Sequence, residues 1–133
     1  MQRGTVLLHE QFEFENGDIG KKFLIVANNP AQNDPYLMCL TTSQRGNRPD
    51  REGCHPQKGV YVLRAGYDFF GLQTWVQLYR IYEADAKALL KARFDGHLTI
   101  KANLQDQTIR AIVNCIKKSP DVSNYHKGLV SKG

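Results

Sequence analysis

Two short polar clusters in this sequence carry the side chains that acid–base and phosphate chemistry require. Lys21 and Lys22 directly precede an apolar run at residues 23–27. A second apolar run at 36–40 leads into the polar residues Thr41, Thr42, Ser43, Gln44 and Arg45. Both runs are short, rich in aromatic and branched residues, and bounded by Asn, Pro or Gly, which favours strands over helices. Two adjacent strands would bring the ammonium groups and the hydroxyls to one edge of a sheet.

Cleavage of RNA is a reaction that such a set of side chains can support. Attack of a 2′-hydroxyl on the adjacent phosphate needs a base, an acid, and donors that stabilise the negative charge of the phosphorane. Lys22 and Arg45 can stabilise that charge, and Thr41 and Thr42 can donate to phosphate oxygens. The motif contains no obvious base. His55, in the loop that follows, is the reserve candidate because imidazole titrates near neutral pH.

Each of these residues also has a purely structural interpretation. Threonine is common at strand ends, the lysine pair fits a solvated hairpin turn, and His55 fits an exposed loop. Trp75 is either a face on which an RNA base stacks, worth ~1 to 3 kcal/mol per base, or a core residue whose indole N–H reaches a carbonyl. Gln77, two residues further on, is expected near the rim of the same site.

The cysteines argue against a metal site and give a first expectation of the redox state. Cys39, Cys54 and Cys115 are an odd number at wide spacings, and no apolar leader precedes them, which predicts reduced thiols and a cytoplasmic protein. Cys54 is adjacent to His55, without the spacer of two to four residues that lets neighbouring ligands reach one zinc ion. We therefore expect neither a metal nor a cofactor.

Charge and hydropathy restrict the classes of partner. The chain has 133 residues, and 18 Lys and Arg against 13 Asp and Glu give a net charge of +5 and a pI near 9.2. This balance favours approach to a polyanion such as RNA. No apolar run approaches the roughly 20 residues that span a bilayer, so no membrane partner is expected. The length fits one domain, over residues 1–122, followed by a loosely held tail at 123–133.

The hydrophobic periodicity predicts a mainly β protein with helices near its C-terminus. An Asn16-Gly17-Asp18 turn separates the first two strands, and residues 43–59 read as a long functional or mobile loop. Helices are predicted over 83–94 and from an Asn103 cap to Lys118. The strands are predicted over residues 5–14, 22–27, 36–42, 60–64 and 75–82. A small barrel of about five to seven strands plus two helices fits this order.

These motifs together resemble the MazF/PemK-like family, SH3-like barrels that act as endoribonuclease toxins of toxin–antitoxin systems. The resemblance covers roughly residues 10–118 and rests on short motifs: Gly17-Asp18-Ile19, Lys22-Phe23-Leu24-Ile25-Val26, Leu40-Thr41-Thr42-Ser43-Gln44, Trp75-Val76-Gln77-Leu78 and Gly96-His97-Leu98. It implies a catalytic pair of Lys22 with Thr41 or Thr42. Lys21, Ser43, Gln44, Arg45, His55, Trp75 and Gln77 are the expected substrate-binding neighbours. It further implies single-stranded RNA as substrate, a cognate antitoxin and a homodimer.

Two departures from the family pattern define an alternative. Family members usually carry Arg-Pro where this chain has Lys22-Phe23, and their loop before that strand is commonly longer than residues 16–21. A lysine is a point cation and lacks the bidentate fork of arginine. The alternative hypothesis is therefore a non-catalytic module on the same barrel that binds nucleic acid or a protein.

Overall fold

The first two strands form a hairpin whose turn depends on three residues. β1 (Thr5–Glu13) pairs antiparallel with β2 (Ile19–Val26). At the reversal, the side-chain oxygen of Asn16 accepts a hydrogen bond of 3.0 Å from the backbone N–H of Asp18. Gly17 has a φ of 88°, which residues with a side chain rarely adopt. The predicted turn is confirmed.

The computed structural model describes residues 1–132 and consists of seven strands and three helices. The other strands are β3 (Tyr36–Thr42), β4 (Gly53–His55), β5 (Val60–Leu63), β6 (Thr74–Ala84) and β7 (Leu98–Asn103). The helices are α1 (Ala86–Phe94), α2 (Asp106–Lys118) and α3 (Asn124–Ser131). The prediction of a mainly β protein with C-terminal helices is confirmed, although the helices number three and not two. Within residues 1–132, no helix combines the length and the apolar character needed to cross a lipid bilayer.

The strands form one antiparallel sheet in the order β4-β5-β6-β3-β2-β1-β7, with β4 and β7 at its edges. Side chains alternate between the two faces, because successive residues of a strand point to opposite sides. Ile25 and Cys39 face α2 and α3, whereas Leu24 and Leu40 face the side that α1 covers. Each central strand is therefore buried on both faces, as its continuous apolar run predicts.

Helix α2 packs onto the sheet through the predicted apolar stripe. Ile109, Ile112, Val113 and Ile116 are all buried, and each contributes about 1.5–3 kcal/mol by leaving water. The predicted start of this helix is wrong, because Asn103 ends strand β7 and its side-chain oxygen accepts a hydrogen bond from the Thr5 hydroxyl at 2.9 Å. Pairing of β7 with β1 determines the local structure there, and α2 begins three residues after Asn103.

The boundary between β6 and α1 also lies later than predicted. Strand β6 continues to Ala84, and Asp85 caps the helix by accepting a hydrogen bond of 2.7 Å from the backbone N–H of Ala88. Leu89 is the one buried residue of α1, while Leu90 is exposed. Backbone pairing with β3 extends β6 into a segment whose composition favours a helix.

The segment expected to be a loosely held tail forms helix α3 over its described part. The Ser123 side chain caps this helix by accepting from the backbone N–H of His126, and Leu129 and Val130 are buried against the core. Arg3 Nη2 donates to the carbonyl oxygen of Val130 at 2.7 Å, which ties the start of the chain to this helix. Two adjacent apolar residues in a short helix produce no periodicity, so the sequence pattern gave no sign of it.

The expectation that all cysteines are reduced is wrong for two of them. Cys54 in β4 and Cys115 in α2 form a disulfide, which joins an edge strand to a helix 61 residues further along the chain. Cys39 is a free thiol in the core, where burial raises its pKa to about 12. A thiol with such a pKa is almost entirely protonated at neutral pH and is a poor nucleophile.

Candidate functional site

A cleft of about 630 Å³ opens at the edge of the sheet where β2 begins and β3 ends. Six of the residues predicted from the sequence line it: Lys21, Lys22, Thr41, Thr42, Ser43 and Gln44. Phe14 from the hairpin, Phe23 and the segment 69–72 before β6 form apolar walls around them. The structure therefore brings the two polar clusters of the sequence to one solvent-reachable place, as the antiparallel order of β2 and β3 requires.

The two threonines differ in what their hydroxyls can do. Thr41 is only 4% exposed, and its Oγ1 donates to the carbonyl oxygen of Phe23 at 3.0 Å. Its proton is used inside the protein. Thr42 is half-buried, and its Oγ1 accepts a hydrogen bond of 3.2 Å from the backbone N–H of Gln44. The hydroxyl proton of Thr42 is therefore free to be donated to a ligand in the cleft.

Lys22 and Thr42 line the same cleft from two neighbouring strands. The paired register of β2 and β3 ends at Leu24 and Leu40, two residues from each of them. The Nζ atom of Lys22 lies 5.8 Å from the centre of the Phe14 ring. Burial is the main cause that lowers the pKa of Lys22, and the positive charges of Arg80 and Arg48 lower the same pKa further.

The charge of Lys22 is not neutralised by a protein partner. Within residues 1–132, neither Lys22 nor Arg48 forms an ion pair with a carboxylate. Lys21, by contrast, lies 3.6 Å from Glu10 and is largely exposed. An anion bound beside Lys22 would reduce the repulsion among the three cations, so the cleft favours a negatively charged ligand.

Four predicted site residues do not line the cleft. Arg45 turns back into its own loop, where its Nε donates to the carbonyl oxygen of Arg48 at 3.2 Å. His55 Nε2 lies 2.6 Å from the carbonyl oxygen of Arg51, a contact that requires the proton on Nε2. The role of reserve base is therefore not supported by its position, because this contact holds the imidazole in the β4 loop.

Trp75 and Gln77 are also placed differently from the prediction of substrate-binding residues. Trp75 is 2% exposed, and its Nε1 donates to the carbonyl oxygen of Pro49 at 2.7 Å. The ring is therefore not available to stack on an RNA base and instead anchors the long loop, as the core interpretation expects. Gln77 is 5% exposed, and its Nε2 donates to the hydroxyl of Tyr79 at 2.8 Å.

Two arginines near Lys22 were missed by the sequence reasoning. Arg80 Nη2 donates to the Tyr82 hydroxyl at 2.8 Å and lies 3.3 Å from Glu15, and Arg48 Nη2 donates to the Tyr79 hydroxyl at 3.1 Å. Arg48 belongs to the long loop, which the bond from Trp75 holds in place. Residues 43–59 contain several cations, and nothing in the spacing of Arg48 distinguishes it from the others.

A bulge in β6 presents Tyr79 and Arg80. Leu40 of β3 pairs with Gln77, but its neighbour Cys39 pairs with Ile81, so residues 78–80 have no partner in β3. Bulges bend a strand and redirect its side chains, and they are common beside functional sites. A period-two pattern assumes a regular ladder, so the sequence analysis could not place these two residues.

No protein-family model matches this chain, and no curated protein sequence matches it. What the chain does must therefore be inferred from the cleft and from the cations around it.

Proposed function

We propose that this chain is a MazF/PemK-like endoribonuclease that cleaves single-stranded RNA without a metal ion. The observation that carries the proposal is that Lys22, an amine with a lowered pKa and without a carboxylate partner among residues 1–132, lines the same open cleft as the free hydroxyl of Thr42. Arg48 and Arg80 add positive charge next to it. The scaffold we propose is an SH3-like barrel. Register shifts in β1 and β6 would let the sheet bend toward this shape, although its edge strands β4 and β7 are not paired with each other.

The reaction would be an internal transfer of the phosphoryl group. The 2′-oxygen of one ribose forms a bond to phosphorus while the bond to the 5′-oxygen of the next nucleotide breaks. The products are a 2′,3′-cyclic phosphate and a free 5′-hydroxyl. The 2′-hydroxyl loses its proton to a base, and the leaving oxygen gains one from an acid.

Lys22 is the residue that the geometry favours for proton transfer. Its lowered pKa increases the fraction of neutral amine at a given pH, which is the form that accepts a proton. Thr42 would donate to a non-bridging phosphate oxygen, and the guanidinium of Arg48 would stabilise the charge that develops there. Thr41 has no direct part in this scheme, because its proton is committed to Phe23.

The apolar wall of the cleft fits the bases of a single strand. Phe14 and Phe69 line the cleft, and Leu72 lines it with 68% of its surface exposed. Stacking of a base on an aromatic ring contributes ~1 to 3 kcal/mol and tolerates any sequence. A duplex keeps its bases stacked on one another, so this wall favours unpaired RNA.

The decisive experiment compares cleavage of an end-labelled single-stranded RNA by wild-type protein and two variants, with EDTA present throughout. Lys22→Met and Thr42→Val should each reduce the rate, with a loss of roughly 100-fold for the lysine if it transfers a proton. Lys101→Met and Thr99→Val change the same residue types at exposed positions on β7 and should cleave at the wild-type rate. Intact RNA with folded wild-type protein, or equal rates for all variants, would count against the proposal.

A second candidate is a non-catalytic RNA-binding module. The observation that favours it is that no Asp, Glu or His is among the cleft residues of the part of the chain that the structure describes. In that case an RNA with 2′-O-methyl groups and an unmodified RNA should bind equally well, with log affinity falling linearly against log salt and with no product formed.

The proposal includes a cognate antitoxin and a homodimer, both implied by the resemblance. An acidic segment of an antitoxin would be attracted to the cations of the cleft and would compete with RNA there. Displacement of bound RNA by such a partner would check the antitoxin proposal. A mass in solution of twice 15.1 kDa would check the homodimer.

A further inference from the structure

A second concavity is lined by residues 47–49 of the loop that follows β3 and by residues of the following strands and turn. It has a volume of about 300 Å³, and its wall contains two cations and a phenol, namely Arg48, Lys58 and Tyr79. Asn47, Pro49 and Val60 complete it. Within residues 1–132, neither Arg48 nor Lys58 forms an ion pair with a carboxylate. We call this concavity the Arg48 pocket.

Tyr79 is held so that its hydroxyl can donate to a ligand. The oxygen of this hydroxyl accepts two hydrogen bonds, one from Gln77 Nε2 at 2.8 Å and one from Arg48 Nη2 at 3.1 Å. In this orientation of the Gln77 amide both partners are donors, which leaves the phenolic proton for a third group, while the buried Gln77 Oε1 has no hydrogen-bond partner among residues 1–132. Gly59 packs close to the ring and to a carboxylate, since a Cβ atom there would lie 3.1 Å from Tyr79 Cδ1 and 3.0 Å from Asp121 Oδ2. Gln77 and Gly59 therefore position Tyr79 but do not themselves reach the pocket.

Arg48 connects this pocket with the cleft. Its Nη1 donates to the carbonyl oxygen of Gln44 at 3.0 Å, and Gln44 lines the cleft. Its charge also acts on Lys22. The guanidinium thus lines one concavity and is hydrogen-bonded to a residue that lines the other.

We infer that the Arg48 pocket is a second phosphate-binding subsite, which takes a backbone phosphate adjacent to the one bound at Lys22. Lys58 and Arg48 supply the charge, and Tyr79 donates one hydrogen bond to a non-bridging oxygen. The inference rests on the proposed function in that the ligand is RNA, but it does not require that the RNA be cleaved. Its role is to hold the strand in one register across the cleft.

The test measures binding of two RNA ligands that cannot be cleaved because they carry 2′-O-methyl groups. One is a hexanucleotide, which can occupy both sites, and the other is a dinucleoside monophosphate, whose single phosphate goes to the cleft. Lys58→Gln and Tyr79→Phe should each weaken binding of the hexanucleotide roughly tenfold, the loss expected for one charge-assisted contact. Lys58→Gln should also reduce the slope of log affinity against log salt by about one.

Controls separate this inference from the proposed function. Both variants should bind the dinucleoside monophosphate as the wild type does, whereas Lys22→Met should weaken binding of both ligands. Lys118→Gln removes an exposed lysine at the end of α2 and should change neither affinity. Unchanged thermal unfolding would show that the variants fold.

Each outcome is informative. If Lys22→Met weakens binding of the hexanucleotide and Lys58→Gln and Tyr79→Phe do not, the second subsite is refuted while the RNA-binding cleft stands. If the wild type binds neither RNA, both proposals fail. A titration with inorganic phosphate then tells whether the pocket binds free phosphate instead. Binding is monitored by the indole N–H resonance of Trp75, because this group donates to the carbonyl oxygen of Pro49 in the pocket wall.

Discussion

Removal of the Cys54–Cys115 disulfide should cost a large part of the stability of this protein. The bond closes a loop with a sequence separation of 61 residues. In the chain-entropy description, a cross-link of this span reduces the entropy of the unfolded chain enough to stabilise the folded state by about 4 kcal/mol at 25 °C. Domains of this size usually unfold at a cost of about 5–15 kcal/mol, so the effect should be easy to measure.

The location of the disulfide indicates what its loss would release first. Cys54 lies in β4, a strand of three residues at the edge of the sheet that pairs with β5. Cys115 is buried in α2. Without the bond, β4 would still pair with β5, and the preceding loop would still be tied by the hydrogen bonds of Trp75 to Pro49 and of Gln73 to Asp50.

The assay is urea unfolding, followed by far-UV circular dichroism, of the oxidised protein and of the protein in excess dithiol reductant. A double variant, Cys54→Ser with Cys115→Ser, should match the reduced protein and should not respond to reductant. The remaining thiol, Cys39, is buried and makes no disulfide, so reductant cannot act through it. A difference below about 1 kcal/mol between the oxidised and reduced proteins would refute the reasoning.

Three further substitutions test the energetics of the site and of the loop that borders it. Lys22→Met should raise the unfolding free energy at neutral pH, because the folded-state pKa of this lysine lies below its unfolded value and the charged form is disfavoured in the folded protein. The gain should shrink as the pH rises through the titration of the lysine, and thermal unfolding at neutral and alkaline pH checks the sign. Thr41→Val should cost about 1–2 kcal/mol of stability by leaving the Phe23 carbonyl unpaired, and Thr41→Ser should restore it in the same urea titration. Gly59 and Gly66 have similar positive φ values, 67° and 72°, so Gly59→Ala and Gly66→Ala place a Cβ atom in a similarly strained backbone. At Gly59 the new Cβ would also meet other side chains, the nearest at 3.0 Å, whereas at Gly66 it would meet none within 4 Å. Both should destabilise by about 1–2 kcal/mol from backbone strain, and a larger loss at Gly59, measured by chemical unfolding, would report the crowding.

The cleft was predictable because it depends on two regular strands. The apolar runs before Thr42 and after Lys22 predict adjacent strands, and an antiparallel pair places the end of one beside the start of the other. The division of roles between Thr41 and Thr42 was not predictable. It depends on which hydroxyl faces the carbonyl of Phe23, and that follows from the pairing register.

The residues that the sequence analysis missed depend on tertiary structure. Cys54 and Cys115 lie 61 residues apart in sequence, and only the packing of α2 against β4 brings them together. Strand β7 is mostly exposed, so its side chains show little alternation, and its pairing with β1 defines it. Arg48 gains its position from the anchoring of its loop by Trp75.

The stretch at residues 78–80, which has no partner in β3, divides β6 into two paired segments. On either side of it, β6 holds the sheet together through its neighbours β3 and β5, whereas Tyr79 and Arg80 project from the interruption itself. Side chains at those two positions can therefore be exchanged with little disturbance of the backbone ladder. Substitution at Tyr79 or Arg80 would change the side chains that this interruption presents without removing a pair of the β3–β6 ladder.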